Sequence, residues 1–200
     1  SLQVGFIAVG IALVVGGMLG ATAGYYGGWI DNGIMRVMDV LLSIPQTLLA
    51  IAIVAALGAN LMNLMIAVGV SAVPNYARIV RGSVLSIRNM EFIEAARAVG
   101  SPDLRIILKH IIPNSMAPII VQSTLGVASA ILNAAGLSFI GLGIQPPMTS
   151  WGALASSAQQ QMLFYPWQLF FPTLFISLTM LSFQMLGDGL RDALDPRVRD

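Results

Sequence analysis

Three long stretches of this 200-residue chain carry no Asp, Glu, Lys or Arg: residues 1–30, 40–77 and 111–187. Each is longer than the roughly 20 residues needed to cross a bilayer as a helix. The apolar positions run continuously and do not alternate, so the pattern predicts helices and not the short two-sided segments of a β-barrel. Five spans are expected: Val4–Gly24, Gly33–Leu57, Leu61–Val80, Asn114–Leu137 and Pro166–Leu186. Pro45 should bend the second, because it removes a backbone donor and clashes with the preceding turn. Between the fourth and fifth spans, Gly136–Pro147 is too rich in Gly and Pro for a regular helix, and Trp151–Met162 has the length of a short interfacial helix. On the first span Gly16, Gly20 and Gly24 recur every four residues. They form a groove in which another helix backbone can approach closely.

The polar interruption lies at 78–113. It holds Arg78, Arg81, Arg88, Arg97, Arg105 and Lys109, six of the ten basic residues, and His110, the only histidine. The residues predict two short helices joined by a tight turn. Asn89 is placed to cap the first, and Glu91 and Glu94 sit near its positive end. Gly100 suits the left-handed position just past its end. Ser101 is expected to cap the second, with Pro102 at its first position and Asp103 in its first turn; Pro113 should then break or kink the chain. Phe92, Ala95, Ala96 and Val99 are spaced to share one face, ringed by Glu91, Glu94 and Arg97. Such a face suits insertion into a groove on a partner, and it equally suits an ordinary solvated helix; the residues alone leave both open.

Composition narrows the class. The chain is 56% hydrophobic and 10% charged, against about 25% charged in soluble domains, which makes it an all-α integral membrane protein in contact with lipid. A net charge of +1 gives no footprint for nucleic acid. No cysteine is present, so disulfides and thiolate metal sites are excluded. The only lysine follows Leu108 and not a Gly-rich turn, so a P-loop for ATP is absent, and one His without Cys builds no ordinary zinc site. Asp31, Asp39 and Asp188 fall near span ends, leaving no visible proton relay, and no cluster of catalytic type argues for a membrane enzyme. Arg36 and Asp39, three apart, are spaced to pair on one helix. Tyr25, Tyr26 and Trp29 suit a membrane interface. Gln122, Ser123, Ser129 and Asn133 are candidates to line a solute pathway, or else to pack between helices. With five spans, all ten basic residues fall on one side, which the positive-inside rule makes the cytoplasm. The chain begins at Ser1 in mid-hydrophobic sequence without the pattern of a signal peptide, as expected of a fragment.

Glu94-Ala95-Ala96, then Gly100, then Ile112-Pro113 resembles the cytoplasmic loop signature of permease subunits in ATP-binding-cassette importers, with His110 and Ile112 departing from the usual Ile and Leu. Tyr25–Asp31, Pro74–Arg78, Phe139–Gly143 with Pro146-Pro147, and Gly187–Pro196 extend the likeness to nearly the whole chain. They resemble the second, C-type permease of dipeptide, oligopeptide and nickel importers, less its N-terminal helix. The resemblance implies a type I importer permease fold in a bacterial or archaeal cytoplasmic membrane. It implies a single domain over 1–200 with a coupling loop at about 82–113. The implied partners are a second permease subunit, two ATPase subunits that bind the ATP and magnesium, and an external solute-binding protein. In that scheme Glu91, Phe92, Glu94, Ala95, Ala96, Arg97 and Gly100 form the element held by an ATPase, and this chain carries no catalytic residue, metal or cofactor. A nickel or other small-solute importer of the same family is the alternative, and an uncoupled channel or scaffold is the alternative outside it.

Overall fold

The computed structural model describes residues 1–144 and 147–194; Pro146, Asp195 and Pro196 of the stretches above, and two of the ten basic residues, Arg197 and Arg199, lie outside them. Every regular element among the described residues is helical. In chain order they are α1 (Leu2–Tyr26), α2 (Gly28–Leu42), α3 (Gln46–Leu57), α4 (Leu61–Ile87), α5 (Glu91–Ala98), α6 (Asp103–Ile106), α7 (Ile112–Asn114), α8 (Met116–Phe139), α9 (Trp151–Gln159) and α10 (Pro166–Leu194). A π-helical turn, Ile107–Ile111, joins α6 to α7.

Three of these, α1, α8 and α10, are long and apolar enough to cross a membrane; α2 and α3 pass the same test only taken together, as a bent pair with the shape of a broken span or a re-entrant loop. The angle within that pair is 86°. The expected single bent span over Gly33–Leu57 is therefore broken: α2 starts at Gly28, and Pro45 stands before α3 as its N-cap in extended conformation. A twelve-residue α3 reaches only about 18 Å. Helix α4 is 27 residues long yet carries Asn63, Pro74, Asn75, Arg78 and Arg81. It tolerates them because it is the most enclosed of the long helices, packed on protein along much of its length.

The core forms where α1 lies along α4. A Cβ on Gly16 would stand 2.6 Å from the Val73 carbonyl oxygen and 2.8 Å from Tyr76 Cβ; one on Gly20 would run into the Ala77 carbonyl; one on Gly24 would stand 2.9 Å from Val84 Cβ. The glycine groove is thus filled by backbone of α4, and such contact replaces the hydrophobic driving force that lipid does not supply. Val4, Ala8 and Ala12 of α1, Val54 of α3, Leu64 and Val68 of α4, and Val127 and Ile131 of α8 close the centre. Helix α9 packs on α8, with Gly152 against the Ala135 backbone, while α10 leans on α8 and α9 and leaves most of its apolar surface open.

Several local expectations change. Helix α4 runs to Ile87, seven residues beyond the expected Val80, so 82–87 belongs to a helix and not to the loop. Helix α8 continues through Gly136 to Phe139 and stops only where Gly141 adopts φ 84°. There Gly141 N–H donates to the Ser138 carbonyl (3.1 Å) and Leu142 N–H to the Leu137 carbonyl (2.8 Å), the paired closure of a Schellman end. Helix α9 ends at Gln159, short of the expected Met162, and is capped by Ser150, whose Oγ accepts from Ala153 N–H at 3.1 Å. Asp39 does not pair with Arg36; it takes Arg78 of α4 at 2.7 Å. That pair sets α2 beside the part of α4 that leads into the segment 88–114. Arg191 joins them there, beside Ile79 and Pro118.

Candidate functional site

The segment between α4 and α8 is anchored from beneath. Ile93 of α5, Ile106 of α6 and Ile111 are fully buried in a cluster with Val80, Val84 and Ile87 of α4 and Ile119 of α8. Burying each such side chain contributes about 1.5–3 kcal/mol, so the segment is seated on the bundle and does not hang as a free loop. Helix α5 has its acids, Glu91 and Glu94, in the first turn and Arg97 in the last, matching the sense of the helix dipole. Its start differs from expectation: Met90 occupies the N-cap, with no side-chain bond, and Asn89 lies one residue outside. Likewise Pro102, and not Ser101, is the N-cap of α6, whose first residue is Asp103. Ser101 is engaged in ending α5. Its N–H donates to the Ala96 carbonyl (3.1 Å) and Gly100 N–H to the Arg97 carbonyl (2.9 Å). With Gly100 at φ 79°, this is the same closure that ends α8.

The expected apolar face of α5 divides in two. Ile93 points into the bundle with Ala96 packed beside it. Phe92 (40% exposed) and Val99 (81% exposed) face outward, as do Ala95, Glu91 and Glu94. An eight-residue helix therefore presents a firm back and a partly apolar front. Sequence reasoning missed Ile93, although its spacing from Ala96 is the i, i+3 signal of a shared face.

Beyond Gly100 the chain must accommodate Pro113, which brings no backbone N–H. It does so by widening into the π turn, where Ile112 N–H reaches the Ile107 carbonyl, and by the Asn114 side-chain amide, which donates to the His110 carbonyl at 2.6 Å. The expected break falls at Ser115, between α7 and α8.

Polar ties hold this end together. Arg81 grips both carboxylate oxygens of Asp31 at 2.5 and 2.6 Å, joining α4 to the first turn of α2. Arg88 Nη1 donates to the Gly24 carbonyl at 2.9 Å. Tyr25, expected at a membrane interface, is buried instead, and its hydroxyl donates to Asp103 Oδ1 at 2.6 Å. Arg97 lies over the Tyr25 ring, 5.3 Å from its centroid.

Deeper in the bundle, a cavity of about 140 Å³ is lined by Gln46 of α3, Asn75 and Tyr76 of α4, and Gln122, Gly126 and Ser129 of α8, among apolar neighbours. Asn133 lies further along α8, where its Oδ1 accepts from Thr47 Oγ1 at 3.2 Å. Of the four pathway candidates, Gln122 and Ser129 come together here and Asn133 joins α8 to α3. Ser123 Oγ is turned back to the Ile119 carbonyl at 2.8 Å and does not line the cavity. Gln46, Thr47 and Asn75 were missed; their signal is the occurrence of neutral polar side chains inside uncharged apolar runs. Among the described residues no group of three or more His, Cys, Asp or Glu gathers to hold a metal.

Comparison with known proteins places this arrangement. The chain is 54% identical over 199 residues to the dipeptide transport system permease protein DppC of Alkalihalophilus pseudofirmus, and 48% identical to the glutathione transport system permease protein GsiD of Escherichia coli O157:H7. Each match covers 100% of this chain and 66% of the relative, so the chain spans just under two thirds of these proteins' length. Its fold matches an inward-facing structure of the MetNI methionine ABC transporter with a TM-score of 0.74 at 19% identity, over 97% of this chain and 92% of that one. It also matches an amino acid ABC transporter solved with histidines, with a TM-score of 0.69 at 18% identity, over 96% and 90% of the two chains. Residues 16–200 match the model of the binding-protein-dependent transport system inner membrane component. The chain is a multi-pass membrane protein and belongs to that family.

Proposed function

We propose that this chain is the membrane-spanning part of a permease subunit in an ATP-driven importer of di- or oligopeptides, and that α5 is the element through which a separate ATPase acts on it. The observation that carries the reading is the two-sided α5: Ile93 is fully buried, while Phe92 and Val99 stand outward on a seated helix. A rigid knob with a small apolar front is what a groove on a moving partner needs to push against. Glu94 and Ala95 sit on that front, and Gly100 supplies the tight exit from the helix. The basic residues gathered at this end favour the cytoplasmic side, where an ATPase finds its nucleotide. A second permease subunit, a second ATPase and an external solute-binding protein complete the assembly, with no ATP chemistry in this chain.

The relatives named for dipeptide and glutathione transport support a peptide as the solute. The neutral amides Gln46, Asn75 and Gln122 around the cavity suit it, since such groups both donate to and accept from peptide bonds. The test is co-purification of the ATPases with the full-length permease pair, for wild type, Val99→Asp and Glu94→Lys. The expected result is loss of at least about tenfold in ATPase retention, as for a truncated hot spot, with unchanged yield of folded permease. Wild-type retention and transport by both variants would falsify the docking role of α5.

A further inference from the structure

The joint between α1 and α2 is tied to the bundle and to the outward-facing segment by different residues. Gly27 and Gly28 turn the chain there, with φ 67° and 56°. Two ties run to α4: Arg88 holds the Gly24 carbonyl on one side of the turn, and Arg81 holds Asp31 on the other. Arg81 belongs to α4, and Arg88 is its C-cap, so both partners sit on a helix already locked to α1 along the glycine groove. The third tie is Tyr25. It is 7% exposed, and it meets both flanks of the Gly100 turn: its ring lies under Arg97 in the last turn of α5, and its hydroxyl bonds Asp103 in the first turn of α6.

We propose that Tyr25 is the positioning residue that carries displacement of α5 and α6 into the α1–α2 joint. The inference rests on the docking reading of α5. Apolar contact beneath Ile93 seats α5 on the bundle but is non-directional. A hydrogen bond to a carboxylate is directional and short, so movement of Asp103 is passed on to the end of α1. Because α1 is packed backbone-to-backbone on α4, it then moves as a unit and not by local bending. The glycines beside Tyr25 let α2 and α3 follow through a different angle.

The test uses the complete importer, with both permeases, the ATPases and the binding protein, reconstituted in liposomes with a labelled dipeptide. Tyr25→Phe removes the hydroxyl and keeps the ring. The expected outcome is wild-type ATPase retention and wild-type basal hydrolysis, with dipeptide uptake per ATP reduced about tenfold, the scale of one charge-assisted bond in a coupling equilibrium. Asp103→Ala should match it, the double variant should be no worse than either, and Asp103→Asn, which keeps an acceptor, should recover most of the uptake. If Tyr25→Phe lowers thermal stability or ATPase retention but leaves uptake per ATP unchanged, the residue is only structural and the proposal falls. It falls also if the variant behaves as wild type throughout. Val99→Asp and Glu94→Lys, run alongside, separate the two ideas: wild-type ATPase retention and transport in both overturn the docking reading and Tyr25 with it, whereas lost ATPase beside a fully coupled Tyr25→Phe overturns Tyr25 alone.

Discussion

Helices α1 and α10 are both long, both apolar and both able to cross a membrane, yet they meet the rest of the molecule in opposite ways. Helix α1 buries eleven of its 25 residues; α10 buries only Pro172 and Gly187 of its 29. The distinction lies in side-chain size and not in hydrophobicity. Helix α1 presents Ala8, Ala12, Gly16, Gly20 and Gly24 to its neighbours, so backbones touch. Helix α10 carries Phe170, Phe171, Phe175, Leu178, Leu181 and Met185 on its open surface, which suits lipid or another subunit. Since lipid is as apolar as leucine, burial in a membrane protein follows small residues and close approach.

The largest expected effect breaks α1. Gly20→Leu forces a side chain into the Ala77 backbone, where nothing flexible can yield. Overpacking of this kind should cost about 3 kcal/mol or more, and with backbone on both sides the variant should fail to accumulate as folded protein in the membrane, read by fluorescence-detected size exclusion. Gly10→Leu, on the same helix with open space around it, should be tolerated. Equal behaviour of the two would mean that α1 and α4 do not meet along this groove.

Next in size is Arg81→Ala. It leaves the buried Asp31 carboxylate without its bidentate partner. Arg81 is itself about one third exposed, with side-chain exposure of 32%, so water softens the loss; roughly 1–3 kcal/mol is expected, seen as a lower melting temperature in detergent. Arg78→Ala removes a pair that is more than half exposed on both sides and should cost under about 1 kcal/mol. The ordering of the two tests whether the start of α2 is held to α4 by the inner pair.

These pairs also mark where the sequence stopped being readable. The glycine groove on α1, the turn at Gly100 and the acidic start of α5 are local patterns, and all three stand where expected. The Asp31–Arg81 and Asp39–Arg78 pairs join residues 50 and 39 apart, with no local trace, and Arg36 offered Asp39 a nearer partner that the fold does not use. Tyr25 looks interfacial because it sits among Tyr26 and Trp29 at a helix end; it is buried by the cluster of Val80, Val84 and Ile93 and by the return of Arg97 and Asp103, all distant in sequence. On α5 the apolar residues are too many for one face of eight residues, so helical spacing alone could not say that Ile93 faces inward and Val99 outward. The neutral polar candidates legible in the sequence all lie on α8, and the cavity draws Gln46 and Asn75 from α3 and α4, which no single-helix pattern connects.

Of the two glycines of α10, Gly187 is the one closely approached: an added Cβ there would stand 2.6 Å from Leu125 Cδ2. The neighbour is the tip of a flexible side chain, so Gly187→Ala should cost only about 1 kcal/mol, the lower end of overpacking penalties, measurable as a small fall in melting temperature. A loss as large as that of Gly20→Leu would mean that α10 is fixed to α8 as firmly as α1 is to α4.

The smallest effect belongs to the open face of α10. Leu178 and Leu181 are both at least half exposed, and Leu and Ala have similar helix propensity. Truncating either to Ala takes away a side chain that is at least half exposed and should change the stability of the isolated permease in detergent by no more than about 0.5 kcal/mol. Phe183, on the same helix, is the internal control: its ring meets Phe6 of α1 edge-on at 5.8 Å, beside the core, and Phe183→Ala should cost about 3 kcal/mol, as for a packed aromatic. A cost of 2–5 kcal/mol for Leu178→Ala, the range for leucines enclosed by protein, would mean that this face is covered within the folded chain, and the contrast between α1 and α10 would dissolve. A null effect in the isolated permease, joined to lower recovery of the assembled importer, would put a partner subunit on that face instead of lipid.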